Sequence, residues 1–154
     1  VETPAIALKN CRTRAIRFDI TAQGQALRLY TFHTKVPTGR KNYACHKEEL
    51  TGAATLIQND NAENIIALGD WNTTPHALAF HTLIHKTFLT QANSNPFTHP
   101  TWPAQFMLPI FQIKLDHILY KGKLTLIDHR RGAALGSDHY PITARFGLLS
   151  ERSE

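Results

Sequence analysis

Asn64-Ile65-Ile66-Ala67-Leu68-Gly69-Asp70-Trp71-Asn72 is the stretch that decides the fold. Four apolar residues run without a break from Ile65 to Leu68, and the run closes on Gly-Asp. A short continuous apolar run reads as a buried central strand rather than a half-exposed one. A carboxylate at the end of such a strand is costly to desolvate unless a metal, a cation or strong donors meet it. Gly-Asp-x-Asn is also the composition of a tight turn, in which Asp and Asn bond their own backbone. For an isolated strand-end Asp, a turn or cap is the commoner reading.

Working outward, Ala15-Ile16-Arg17-Phe18-Asp19-Ile20 alternates apolar and charged residues, the period-2 pattern of a half-buried strand. Thr21–Gln25 supplies a turn, and Ala26–His33 alternates again, so the two runs should pair as an antiparallel hairpin. Ile6-Ala7-Leu8 reads as a short edge strand. Val36-Pro37-Thr38-Gly39 is a loop. From Lys41 to Asn59 the apolar residues Tyr43, Leu50, Ala54 and Ile57 recur at helical spacing, with Gly52 a tolerated weakness. A second helix fits from His76 to Thr87, begun by Thr74-Pro75. Gln91–Pro109 is proline-rich loop. Ile113–Leu119 and Lys123–Asp128 read as strands flanking a Lys121-Gly122 turn. Tyr140–Phe146 is a last strand, with Pro141 placing it at a start or an edge. Strands dominate and two helices are inserted, so the fold class is α+β, a layered α/β arrangement with a mostly antiparallel sheet.

The 154 residues carry no linker, repeat or biased tract and read as one domain, 1–154. Apolar residues at 42% and charged residues at 19% exclude a disordered chain. The longest apolar stretch is too short for a transmembrane helix. Val1-Glu2-Thr3-Pro4 lacks the charged head and apolar run of a secretory signal. The chain begins without Met and reads as processed or cut from something longer. A net charge of +5 raises the prior on a phosphate-bearing partner only modestly, since the excess is spread along the chain. Cys11 and Cys45 cannot make a disulfide framework and sit in no CxxC. They read as buried or half-buried thiols.

Twelve acidic residues are few enough that their placement informs. Asp70 and Asn72 follow the buried strand. Asp116 and His117 sit inside Leu115-Asp116-His117-Ile118-Leu119. Asp138 and His139 sit in Gly136-Ser137-Asp138-His139-Tyr140-Pro141. Three such carboxylates beside apolar strands point to one shared acidic, histidine-bearing pocket. Oxygen-rich clusters of this kind suit Mg²⁺ or Mn²⁺.

Gly69-Asp70-Trp71-Asn72, then Thr101-Trp102, then Leu115–Leu119, then Leu135-Gly136-Ser137-Asp138-His139-Tyr140-Pro141-Ile142 resembles, in this order, the endonuclease/exonuclease/phosphatase superfamily. Phe32-His33 followed by Lys35-Val36-Pro37 is similar to that family's histidine-bearing strand. The resemblance runs from about residue 14 to 148. It implies half of a four-layer α/β/β/α sandwich of the deoxyribonuclease I type, with the module's N-terminal half absent. That half normally brings an Asn and a metal-binding Glu, and Glu48 and Glu49, on a helix, are not assigned that role. The bare sheet face so implied favours a homo-oligomer.

The resemblance also implies roles. A metal, Mg²⁺ or Mn²⁺, would polarise a phosphoester while an activated water attacks in line. Asp70 would orient or deprotonate the water, and Asn72 would donate its amide to the phosphate. His139 would contact the phosphate, with Asp116 fixing its tautomer. Asp138 would help hold the metal. His33 would be a second phosphate-facing imidazole. The implied substrate is a phosphoester, with nucleic acid favoured weakly over lipid or inositol phosphates. A non-catalytic binding module is the competing reading.

The other histidines read more plainly. His117 should point to the opposite strand face from Asp116. His81 and His85 share a helix face, but Thr82 stands where a zinc protease needs Glu, so they read as solvated. His129-Arg130-Arg131 with Lys121 and Lys123, and Arg40-Lys41, divide evenly between a phosphate-facing rim and a solvated surface. Trp71 and Trp102 read as core before they read as base-stacking platforms.

Overall fold

A computed structural model describes residues 6–7, 11, 14–104 and 109–149. The elements run β1 (Ile6–Ala7), β2 (Arg14–Ala22), β3 (Gln25–His33), α1 (Gly39–Gln58), β4 (Asn64–Asp70), α2 (Leu78–Thr87), β5 (Thr90–Gln91), β6 (Asp116–Lys121), β7 (Leu124–Arg131) and β8 (Ile142–Leu148), with a 3₁₀ turn at Pro109–Phe111 before β6. Six strands form a sheet in the order β1-β2-β3-β4-β6-β5, and β7 and β8 form a second, two-stranded sheet. Among the described residues only β3 and β4 pair in parallel, across the α1 crossover. The alternating runs pair as the expected hairpin, with Phe18 opposite Leu29 and Ile20 opposite Leu27. This is the α+β class read from the sequence.

The apolar strand Ile65–Leu68 sits between β3 and β6, where both faces are covered. On one face, Tyr30, Phe32, Ile65, Ala67 and Leu119 pack against Leu50, Ala53 and Ile57 of α1 and Phe80 and Leu83 of α2. Trp71, fully buried, lies in this layer with its ring 4.5 Å from Phe32 and 5.6 Å from Phe80. Side chains of this size each contribute roughly 2–3 kcal/mol when buried. On the other face, Ile66 and Ile118 meet Phe146 and Leu148 of the second sheet. That small sheet leaves Ile16, Phe18 and Ile20 of β2 about 40% exposed on the same face as Leu27 and Leu29. Part of this apolar face is therefore bare.

Several expectations are corrected. Cys11 and Cys45 form a disulfide across 34 residues and are not free thiols. A single pairing between distant positions leaves no local trace in sequence. β6 begins at Asp116, not Ile113, because Ile113 is bridged to Trp102 instead. The expected Lys121-Gly122 turn is present between β6 and β7. It carries the chain from the first sheet to the second. Gly122 turns there at φ +101°, where a Cβ would lie 2.2 Å from the Glu63 carbonyl oxygen. The Gln91–Pro109 stretch holds the second residue of β5 and the first of the 3₁₀ turn. The third residue of the expected edge strand, Leu8, lies outside the described residues. Among the described residues no helix is long and apolar enough to cross a membrane.

Candidate phosphoester site

Three adjacent strand ends build the site. In register, His33 at the end of β3 lies beside Asp70 at the end of β4, and Asp70 lies opposite Asp116 at the start of β6. Like charges directly opposite each other on neighbouring strands repel. His139, from the loop before β8, relieves that repulsion. Its Nδ1 is 2.7 Å from Asp116 Oδ2, and its Nε2 is 3.9 Å from Asp70 Oδ2. His33 Nε2 is 3.6 Å from the same Asp70 oxygen, though its side chain is 78% exposed. Ligand atoms of Asp70, Asp116 and His139 all lie within 4.8 Å of one another.

The local turn makes Asp70 rigid. Gly69, at φ +137°, lets β3 pass so close that a Cβ would lie 2.0 Å from the Phe32 carbonyl oxygen. Asp70 Oδ1 accepts the Asn72 backbone N–H at 2.9 Å, so the tight turn of the sequence reading is present. Asn72 Nδ2 donates to Asp70 Oδ2 at 3.0 Å and to the Thr34 carbonyl at 2.9 Å. Both neighbours are acceptors, which fixes the amide's orientation and engages both its hydrogens. The amide expected to face a phosphate thus braces Asp70. Thr34 completes the brace, with its hydroxyl donating to the Trp71 carbonyl at 2.6 Å.

Electrostatics follow from these contacts. Burial raises the Asp70 pKa, and the Asp116 charge adds to it, against the opposing Asn72 N–H and the two imidazoles. Burial alone would lower the His139 pKa. The hydrogen bond to Asp116 and the charges of Asp116, Asp70 and Asp138 outweigh it, and the net shift is upward. The pair therefore favours an imidazolium between two carboxylates.

A cavity of about 970 Å³ opens over these groups. His33, Asp70, Asn72, Asp116, Asp138 and His139 all line it, so the fold brings these six residues to one cavity. Asp138 is exposed at the rim and is not among the three converging side chains. The Asp70 and Asp116 carboxylates suit a divalent cation that keeps several of its waters, whereas His139 as an imidazolium offers it no lone pair.

Sequence reasoning missed His46, whose buried ring lines the same cavity and whose Nδ1 donates to the Lys35 carbonyl at 2.9 Å. A histidine at a helix position without a spaced partner carries no signal. Glu49, fully buried, accepts the Lys35 N–H at 2.6 Å. Trp102 is 39% exposed and lines the cavity, in contrast to its expected core place, while Trp71 is core. His117 points away from Asp116, as expected, and donates from Nε2 to the Thr73 carbonyl at 2.8 Å. His81 and His85 are exposed. The basic residues near β7 are largely engaged. Arg130 pairs with Asp128 and Lys123 with Glu63, while Arg131 lies 4.1 Å over the Tyr140 ring.

Known structures share this fold. D. rerio TDP2 complexed with a single-strand DNA product superposes with a TM-score of 0.76 at 16% identity, covering 96% of this chain and 68% of that one. The human Nocturnin catalytic domain with bound sulfate gives 0.69 at 19% identity, covering 97% and 59%. The inositol polyphosphate 5-phosphatase domain of SPsynaptojanin, in complex with inositol (1,4)-bisphosphate and calcium, gives 0.66 at 18%, covering 94% and 53%. The chain thus spans from about half to two thirds of these three structures, and likeness at these identities establishes the fold. No curated protein matches the sequence. The model of the Endonuclease/Exonuclease/phosphatase family matches residues 21–139, most of the chain, and the chain therefore belongs to that family.

Proposed function

We propose that this chain is part of a metal-dependent phosphoesterase that hydrolyses a phosphodiester, with a nucleic acid as the favoured substrate. The observation that carries the reading is the meeting of Asp70, Asp116 and His139 in one open cavity. A phosphodiester is anionic, so attack on it needs a cation or donors around the phosphate and one base for the water. Asp70, braced by Asn72, is the base or orienting group for the water. His139, held by Asp116, donates to the phosphate. His33 is the second donor, at the cavity mouth. Asp138 would help hold the divalent ion, directly or through water, and the ion would supply charge neutralisation at the phosphate and leaving oxygen.

Net charge and the Leu135-Gly136-Ser137-Asp138-His139 stretch, similar to abasic-site endonucleases, support a nuclease over a lipid or inositol-phosphate hydrolase. A phosphate-binding module without turnover is the alternative. The intact carboxylates and imidazoles argue against it. The unit 1–154 is read as the C-terminal portion of the module, with an upstream half completing the metal site.

Hydrolysis of bis-nitrophenyl phosphate with Mn²⁺ tests the reading. This chain alone should turn over poorly or not at all, and a longer chain with the upstream half should be active. Asp70→Ala in the longer chain should abolish turnover. Unchanged turnover there would reject the enzyme and favour the binding module.

A further inference from the structure

Asp116 starts β6 of the first sheet and His139 lies in the loop before β8 of the second, so no strand ladder sets the distance between them. A short strap does. Thr101 is fully buried between the two stretches. Its Oγ1 accepts the backbone N–H of Leu115 at 3.0 Å and of Asp116 at 3.2 Å. Its carbonyl accepts the Tyr140 N–H at 2.8 Å. Three residues on, the Ala104 N–H donates to the Asp138 carbonyl at 2.7 Å. Trp102 and Ile113 exchange a pair of backbone hydrogen bonds at 3.0 and 2.7 Å, which locks the strap against the approach to β6. One side chain thus grips the backbone of Asp116, and the same residue's carbonyl grips the residue after His139.

We propose that Thr101 is the positioning residue that sets the Asp116–His139 hydrogen bond. Its meaning for catalysis rests on the phosphoesterase reading, but its geometry does not. The two N–H groups bound by Oγ1 are those a strand would otherwise satisfy in its ladder. A valine would fill the same volume and leave both without an acceptor. Asp116 would then be free to shift by the few tenths of an ångström that a short charge-assisted bond does not tolerate.

The test uses the whole chain and no turnover. The Nδ1–H of His139, bonded to a carboxylate, should give a far-downfield proton resonance, assigned by its loss in His139→Gln. Thr101→Val should abolish that resonance while the amide spectrum stays dispersed, and Thr101→Ser, which keeps the acceptor, should retain it. A purely structural role would lower stability in both variants without this split. A resonance unchanged in a folded Thr101→Val variant overturns the proposal, as does its absence from the wild type. Should Thr101→Val fail to fold, amide exchange in the wild type decides. Leu115, Asp116 and Tyr140 protected at least tenfold over Ala133–Leu135 uphold the strap, and equal exchange rejects it. A longer chain that hydrolyses phosphodiesters, alongside an unchanged resonance in Thr101→Val, would reject the strap and leave the function standing.

Discussion

The Asp116 carboxylate holds the His139 imidazole at 2.7 Å across 23 residues of sequence, and Asp70 stands 3.9 Å from the ring's other nitrogen. The hydrogen bond and the charges of Asp116, Asp70 and Asp138 raise the His139 pKa despite its partial burial. A group with a raised folded-state pKa contributes stability below its unfolded value, near 6.5, and that stability is lost as pH rises through the folded value. Asp116→Asn should therefore lower the His139 pKa in metal-free protein, read from its ring resonances during a pH titration. It should also flatten the stability loss above about pH 6.5. An unshifted titration would mean that Asp116 does not govern the ring.

Gly69 makes the Asp70 turn possible. At φ +137° and with the Phe32 carbonyl where a Cβ would stand, no side chain fits without moving the β3 backbone. Gly69→Ala should cost at least about 3 kcal/mol in urea unfolding, since strain and a backbone clash act together. A loss under about 1 kcal/mol would mean that β3 yields easily. In that case the closeness of His33 to Asp70 would not be fixed by the sheet.

These strand ends were legible because their signals are local. The apolar run before Asp70 and the helical spacing of Leu50, Ala54 and Ile57 report burial within a few residues, and the alternation of Ile16, Phe18 and Ile20 reports a strand whose apolar face stays partly exposed. Nothing local reports partnership. That Asp70 lies opposite Asp116 depends on register between strands 46 residues apart. The turn at Gly122 is legible from its glycine, but nothing nearby says whether the strands on either side pair, and the backbone of Glu63 and the side chain of Asn64 that crowd it are distant in sequence. Ile113 is apolar enough to read as strand, but Trp102 takes its backbone. The bracing of Asp70 by Asn72, and of Asn72 by Thr34, needed coordinates for the same reason.

The Cys11–Cys45 bridge ties the approach to β2 onto α1, one residue before the cavity-lining His46. Closing a loop of 34 residues removes unfolded-state entropy worth about 4 kcal/mol on the chain-entropy account. Urea unfolding with and without reductant should show a loss of that order. Cys11→Ser should reproduce it without reductant. Identical midpoints would show that the bridge does not form in solution.

His117 supplies the clearest acid sensitivity. Burial pushes its imidazole down to about 4, even though it donates to the Thr73 carbonyl. The unfolded chain takes up the proton near pH 6.5 and the folded chain does not, so stability is complete above that value and falls between about pH 6.5 and 4. The full loss is about 3 kcal/mol. His117→Phe keeps an aromatic ring against Phe80, 4.6 Å away. It leaves the Thr73 carbonyl without its donor, at a cost of about 1–3 kcal/mol at neutral pH. The variant should thus be less stable at pH 7.5, and its urea midpoint should fall less on acidification than the wild type's. A wild-type slope carried over unchanged would mean that His117 takes up its proton in the folded state as readily as in the unfolded one. The ring would then be open to water, and the indole N–H of Trp71, bonded to the His117 carbonyl at 3.3 Å, would lose its dry surroundings.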